Sequence, residues 1–159
     1  MTPKARWLTN VGFVRNSNED AIAVGADLIW ANVFGPKRFT VPRNKCVLMI
    51  ADGMGGHSQG ALASKTALSF LVEISDSATE IFQWENALRS ANDAIFDCME
   101  QTPSARGMGT TIVGVAIGES EVICFNVGDS RLYRHSSGSL LRLSQDDVPL
   151  GTSGPGVSR

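Results

Sequence analysis

Residues Cys46 to His57 read C-V-L-M-I-A-D-G-M-G-G-H. The first six, Cys46–Ala51, form an unbroken apolar run of strand length, the pattern of a strand covered on both faces. Asp52 follows at once, so a carboxylate stands at the end of a buried element. Three of the next four residues are glycine (Gly53, Gly55, Gly56), which opens backbone angles closed to other residues. A carboxylate held at a strand end by such a turn points to metal chemistry more than to packing. Asp-Gly alone would be read as a strand-to-helix turn. The whole heptapeptide Ala51–His57 favours a site.

Working outward, the spacing predicts a helix from about Ser58 to Ile74, with Ala63, Ala67, Phe70, Leu71 and Ile74 on one face. A second is predicted from about Thr79 to Met99, where Trp84, Leu88, Ala91, Ile95 and Met99 step by four and three. Beyond Pro103 the period becomes two. Thr110–Ile117, Val122–Val127, Arg131–His135 and Leu140–Leu143 read as strands, joined by turns at Gly118–Glu121 and Ser136–Ser139. Upstream, Trp7–Val14 and Ala21–Val24 read as strands flanking the polar segment Arg15–Asp20. Gly35-Pro36 and Pro42 divide Asp27–Lys45 into loops or an edge hairpin. Strands, two long helices, then a meander predict an α+β fold with helices on antiparallel sheets.

The 159 residues suffice for one domain with a core. A net charge of −2 provides no basic face, so no nucleic-acid partner is expected. No apolar stretch approaches the roughly 18–20 residues that span a bilayer, and the N-terminal residues lack the apolar core of a secretory signal. Cys46, Cys98 and Cys124 lie far apart among apolar residues and are expected to be buried free thiols, which favours the cytoplasm. Asp146–Arg159 has little to bury and reads as loop or disorder.

Four clusters carry the chemistry. Arg15-Asn16-Ser17-Asn18-Glu19-Asp20 joins a guanidinium, which can grip two phosphate oxygens, to two hard oxygen ligands for Mg²⁺ or Mn²⁺. Asp52-Gly53 could bridge two cations, with the Gly53 carbonyl open to one of them; paired metals lower the pKa of a bound water from about 15.7 to about 7. Gly107-Met108-Gly109-Thr110-Thr111 opens a strand with close-approach glycines and hydroxyls able to orient a loop. Val127-Gly128-Asp129-Ser130-Arg131 repeats the strand-end aspartate, which could converge with Asp52 or simply form a hairpin turn. His57 adjoins the site and could donate a proton, whereas His135 reads as structural. G-x-S-x-G, C-x-x-x-x-x-R and G-x-x-x-x-G-K-[ST] are absent, so metal-activated water is a simpler expectation than a covalent intermediate.

In this order the four clusters, together with Gly12-Phe13-Val14-Arg15, resemble the metal-dependent protein serine/threonine phosphatases of type 2C (PPM) in their bacterial form. The resemblance spans roughly residues 5–147. It implies a four-layer α-β-β-α sandwich, incomplete at the C-terminus, with the phosphatase-like domain over 1–147 and a flexible tail or truncation point over 148–159. The implied reaction is hydrolysis of phosphoserine or phosphothreonine in proteins, counteracting a bacterial-type kinase, by a water bridging two Mn²⁺ or Mg²⁺ ions. Arg15 would bind the phosphate and Asp52 would bridge the metals. The Gly53 carbonyl would bind one of the metals, and Glu19 and Asp20 would hold metal-bound waters or a metal. Asp129 would help bind a third ion, and His57 would donate the proton.

Three departures accompany the resemblance. Ala61 stands where bacterial members usually carry Glu, and Asp147 where His commonly follows Asp in Leu143-Ser144-Gln145-Asp146-Asp147. The family's later S-D-G strand and D-N pair, which complete the first metal site, do not occur; after Arg134 the acidic residues are Asp146 and Asp147 alone. Weak metal binding, open strand edges and uncovered apolar faces are therefore expected. The alternative function is a non-catalytic relative that binds phosphoproteins or regulates a partner.

Overall fold

The computed structural model describes residues 3–42, 45–55 and 58–147. Strands β1 (Lys4–Asn10), β2 (Asp20–Val24), β3 (Asp27–Ile29), β4 (Val33–Thr40) and β5 (Cys46–Met54) precede helices α1 (Ser58–Ser75) and α2 (Ile81–Gln101). A 3₁₀ turn at Pro103–Ala105 leads to β6 (Gly109–Thr110), β7 (Ile112–Ile117), β8 (Val122–Val127), β9 (Tyr133–Ser136) and β10 (Ser139–Arg142). The main sheet runs β3-β2-β5-β7-β8, with β6 also paired to β5. β1–β4 and β9–β10 are separate two-stranded ribbons, and every pairing is antiparallel.

The period-two pattern of the main sheet sends Ala21, Ala23, Val47, Met49 and Ala51 toward the helices. There they form one core with Ala63, Ala67, Leu68 and Leu71 of α1 and Trp84, Ala87, Ala91 and Ile95 of α2. Met49, Leu68 and Leu71 are at most 1% exposed, each contributing about 1.5–3 kcal/mol of apolar burial. Gly114 makes room in this layer: a Cβ there would stand 2.8 Å from both Met49 and the Phe125 ring. Phe125 in turn stacks on Trp84 at 4.9 Å.

Helices cover one face of the main sheet, as one outer layer of the implied sandwich would; the second outer helical layer is not present among the described residues. Over the other face, Trp7 of β1 and Leu132 bound a cavity of about 240 Å³ together with Ile22, Val24, Leu48 and Ile50. Ile50 is 47% exposed at mid-strand, and Leu140 and Leu141 of β10 are 70% and 52% exposed. The expected uncovered apolar face is present.

Local differences from the sequence reading have local causes. β1 ends at Asn10 instead of running to Val14, because Asn10 Oδ1 accepts the Gly12 N–H at 2.8 Å and Gly12 adopts φ +77°. Gly35-Pro36 does not break β4: it lies where the β1–β4 register slips between Trp7 and Thr9, on a strand paired along one edge. α2 begins at Ile81 instead of Thr79, since Gln83 Oε1 accepts the N–H groups of Thr79 (2.6 Å) and Glu80 (2.8 Å). Of the three free cysteines only Cys46 is buried; Cys98 is half-buried and Cys124 exposed. Asp146 and Asp147 are held by Arg131 and Gly128 instead of lying in a loose tail; residues 148–159 lie outside the described residues.

Candidate metal and phosphate site

Register brings the first two carboxylates together. β2 and β5 pair so that Asp20 lies directly opposite Asp52, with both side chains on the face turned away from the helices. Opposed residues on antiparallel strands have Cβ atoms about 4.5–5.5 Å apart, so two like charges confront each other. Asp20 is pushed from its ordinary 3.8 up to about 6, first by burial, then by the charge of Asp52 and a hydrogen bond to it, and last by the charge of Glu19.

The loop before β2 is pinned by Asn18, whose amide donates to Thr9 Oγ1 (2.5 Å) and to the Ala31 carbonyl (2.8 Å). Its own N–H donates to Asn32 Oδ1 at 2.9 Å, and its Oδ1 accepts the Asp20 N–H at 3.2 Å. Arg15, Glu19, Asp20, Asp52 and Gly53 consequently line one cleft of about 210 Å³. Arg15 is exposed and makes no ion pair among the described residues. Arg131, by contrast, grips Asp146 through two bonds of 2.8 and 3.1 Å, which raises its pKa and lowers that of Asp146.

Gly53 is a packing residue as well as a candidate ligand. Its N–H donates to the Glu19 carbonyl at 3.2 Å, and a Cβ at Gly53 would overlap the Gly60 carbonyl in the first turn of α1. Ser64, 1% exposed, donates to the same Glu19 carbonyl at 2.6 Å. A Cβ at Gly60 would overlap Glu19 Oε2, so that carboxylate sits against the start of α1. Sequence reasoning gave no role to Asn18, Gly60 or Ser64. The one available signal was Gly60, a poor helix former placed inside a helix.

The Thr110–Thr111 pair, which also forms the entry to β7, holds the Asp52 backbone. Thr110 Oγ1 (3.0 Å) and the Thr111 N–H (2.9 Å) both donate to the Asp52 carbonyl. Asp129 is exposed on the turn after β8 and does not line the cleft. His57 falls outside the described residues, and His135 is exposed on β9. Among the described residues no three His, Cys, Asp or Glu side chains converge on one point. The cleft's donors nonetheless suit a hard divalent cation in kind: all are oxygen, and a cation would relieve both the burial of the Asp20 carboxylate and its repulsion by Asp52 and Glu19.

Residues 37–150 match the family model described as protein phosphatase 2C. The chain belongs to the bacterial type 2C (PPM) serine/threonine phosphatase family. It is 31% identical over 140 residues to the serine/threonine protein phosphatase PstP of Mycobacterium tuberculosis, covering 86% of this chain and 24% of that protein. It is 32% identical over 149 residues to the serine/threonine phosphatase stp of Listeria monocytogenes, covering 89% of this chain and 54% of that protein. The chain thus spans a quarter to about half the length of these relatives. Its fold superposes with a TM-score of 0.69 on the crystal structure of the PstP catalytic domain in complex with two manganese ions, at 28% identity over 91% of this chain and 56% of that one. The family's α+β architecture, with two helices on antiparallel sheet, is present here.

Proposed function

We propose that this chain is a protein serine/threonine phosphatase that hydrolyses phosphoserine and phosphothreonine with a metal-activated water. The observation that carries this reading is the opposed Asp20–Asp52 pair sharing one cleft with Arg15. Arg15 binds and orients the phosphate through its two-pronged donor edge. Asp52 and the Gly53 carbonyl would hold two Mn²⁺ or Mg²⁺ ions, Glu19 and Asp20 would hold metal-bound water or a metal, and Asp129 would help hold a third ion. The ions, when bound, lower the pKa of a water and neutralise charge on the phosphate. Asn18 and Thr110–Thr111 keep the carboxylates in place. His57, two positions beyond Gly55 in sequence, donates the proton to the departing serine or threonine oxygen.

The substrates in this reading are phosphoproteins made by a serine/threonine kinase, and the setting is the cytoplasm, which suits three free thiols. In this reading residues 1–147 are a type 2C phosphatase-like domain of the four-layer sandwich kind. A second reading, a non-catalytic phosphoprotein-binding module, is favoured by one observation: no third carboxylate converges with Asp20 and Asp52 among the described residues.

The test is Mn²⁺-dependent hydrolysis of p-nitrophenyl phosphate and of a phosphothreonine peptide, with Asp52→Asn as control. Metal-dependent turnover lost in Asp52→Asn supports the enzyme. Peptide binding that depends on Arg15 without turnover supports the binding module.

A further inference from the structure

We propose that Thr111 and Ser130 form a positioning pair that ties Asp52 to the turn carrying Asp129, so that the two strand-end aspartates are held as one unit. Its purpose rests on the metal-site reading above; its geometry does not.

Thr111 sits between β6 and β7, where the strand predicted over Thr110–Ile117 is interrupted. Its N–H donates to the Asp52 carbonyl at 2.9 Å, and its Oγ1 accepts the Asp52 N–H at 3.3 Å. One residue therefore holds both backbone polar groups of Asp52. The same Oγ1 lies 2.6 Å from Ser130 Oγ. A hydroxyl has one proton and two lone pairs, so Thr111 can serve Asp52 and Ser130 together. Ser130 follows Asp129 directly, and any movement of Asp52 is thereby transmitted to the Asp129 turn.

The turn itself is confined. Gly128 adopts φ +90°, and a Cβ there would stand 2.8 Å from Thr111 Cγ2, so the threonine methyl packs against the turn backbone. On the far side the Asp147 N–H donates to the Gly128 carbonyl at 2.9 Å. Thr111 and the Asp147 segment hold the turn from two directions. Pre-set oxygen donors bind a hard cation better than donors that must be ordered on binding, and residues that orient ligands from behind commonly change affinity by about 10–100-fold when lost.

The test is Mn²⁺ binding to the full chain by isothermal titration, for wild type and for Thr111→Val, Thr111→Ser and Ser130→Ala, with Asp52→Asn as the blank. Thermal unfolding verifies that each variant folds. Thr111→Val preserves shape but loses both hydroxyl bonds, and should weaken Mn²⁺ about tenfold. Ser130→Ala should weaken it severalfold, and Thr111→Ser should restore near-wild-type affinity. In the metal-free chain, amide exchange across residues 128–131 should quicken in Thr111→Val but not in Thr111→Ser. A folded Thr111→Val or Ser130→Ala that binds Mn²⁺ like wild type overturns the proposal. Should Thr111→Val not fold, Ser130→Ala decides. Wild type binding no tighter than Asp52→Asn overturns it differently, because the metal-site reading itself has then failed.

Discussion

Val47, Met49 and Ala51 point from β5 toward the helices and are at most 3% exposed, whereas Ile50, between them on the same strand, is 47% exposed. The two faces differ in what lies over them. Two amphipathic helices seal one; β1 and the Arg131–Leu132 segment border the other and leave a cavity above mid-β5. Asp20 and Asp52 lie on the open face. The sealed side provides the rigid backing that fixes strand register, and register alone brings the two carboxylates together. The open side provides access, at the cost of exposed apolar surface.

The sharpest way to break this contrast is truncation on each face. Met49→Ala should cost about 2–5 kcal/mol in urea unfolding, while Ile50→Ala next to it should cost about 1 kcal/mol or less. Equal losses would mean that something covers the second face in solution. Gly53→Ala tests the junction of sheet and helix: the added methyl overlaps the Gly60 carbonyl, so a loss of roughly 1–3 kcal/mol is expected, with weaker Mn²⁺ binding.

Asp20→Asn should act in the opposite direction. A carboxyl whose pKa rises on folding, here from 3.8 to about 6, binds its proton more tightly in the native state. Metal-free stability should therefore fall as pH rises through that window and stay low above it. Asp20→Asn should flatten this slope and raise stability above pH 6 by about 1 kcal/mol after allowance for partial exposure, read as a higher Tm. Added Mn²⁺ should produce the same rise in wild type and none in the variant. The smallest effect belongs to Asp146→Asn, whose ion pairs with Arg131 and Arg142 are exposed. Tm should barely change, while amide exchange quickens across residues 143–147. Because Asp146 has a lowered pKa, its contribution is present at neutral pH and is lost as pH falls through that lowered value.

Much of the main sheet and both helices were legible in the sequence, as apolar runs of strand length in β5 and β7 and as a stripe at spacings of three and four along α2. Less legible were elements set by a single side-chain bond or a register slip. Asn10 ended β1, Gln83 moved the start of α2, and a shift opposite Trp7 carried β4 through Gly35-Pro36. The same division runs through the site. Arg15, Glu19, Asp20, Asp52 and Gly53 were named from motif chemistry and do share a cleft. Asn18, Gly60, Ser64 and Ser130 were given no role, because each acts through a bond or close approach to a residue distant in sequence or across a loop.

By itself the sequence determined the family, the apolar run that makes β5 a central strand, and the chemical kinds of group at the site. These follow from residue type and local spacing, which need no partner. That β5 is covered on one face only is a finding of the structure. Tertiary structure alone decided that Asp20 faces Asp52, that Asp129 stands off the cleft and is joined to Asp52 through Thr111 and Ser130, and that one face of the sheet is sealed while the other is open. Each depends on which strand lies beside which and in what register, and register is fixed by the packing of the whole core.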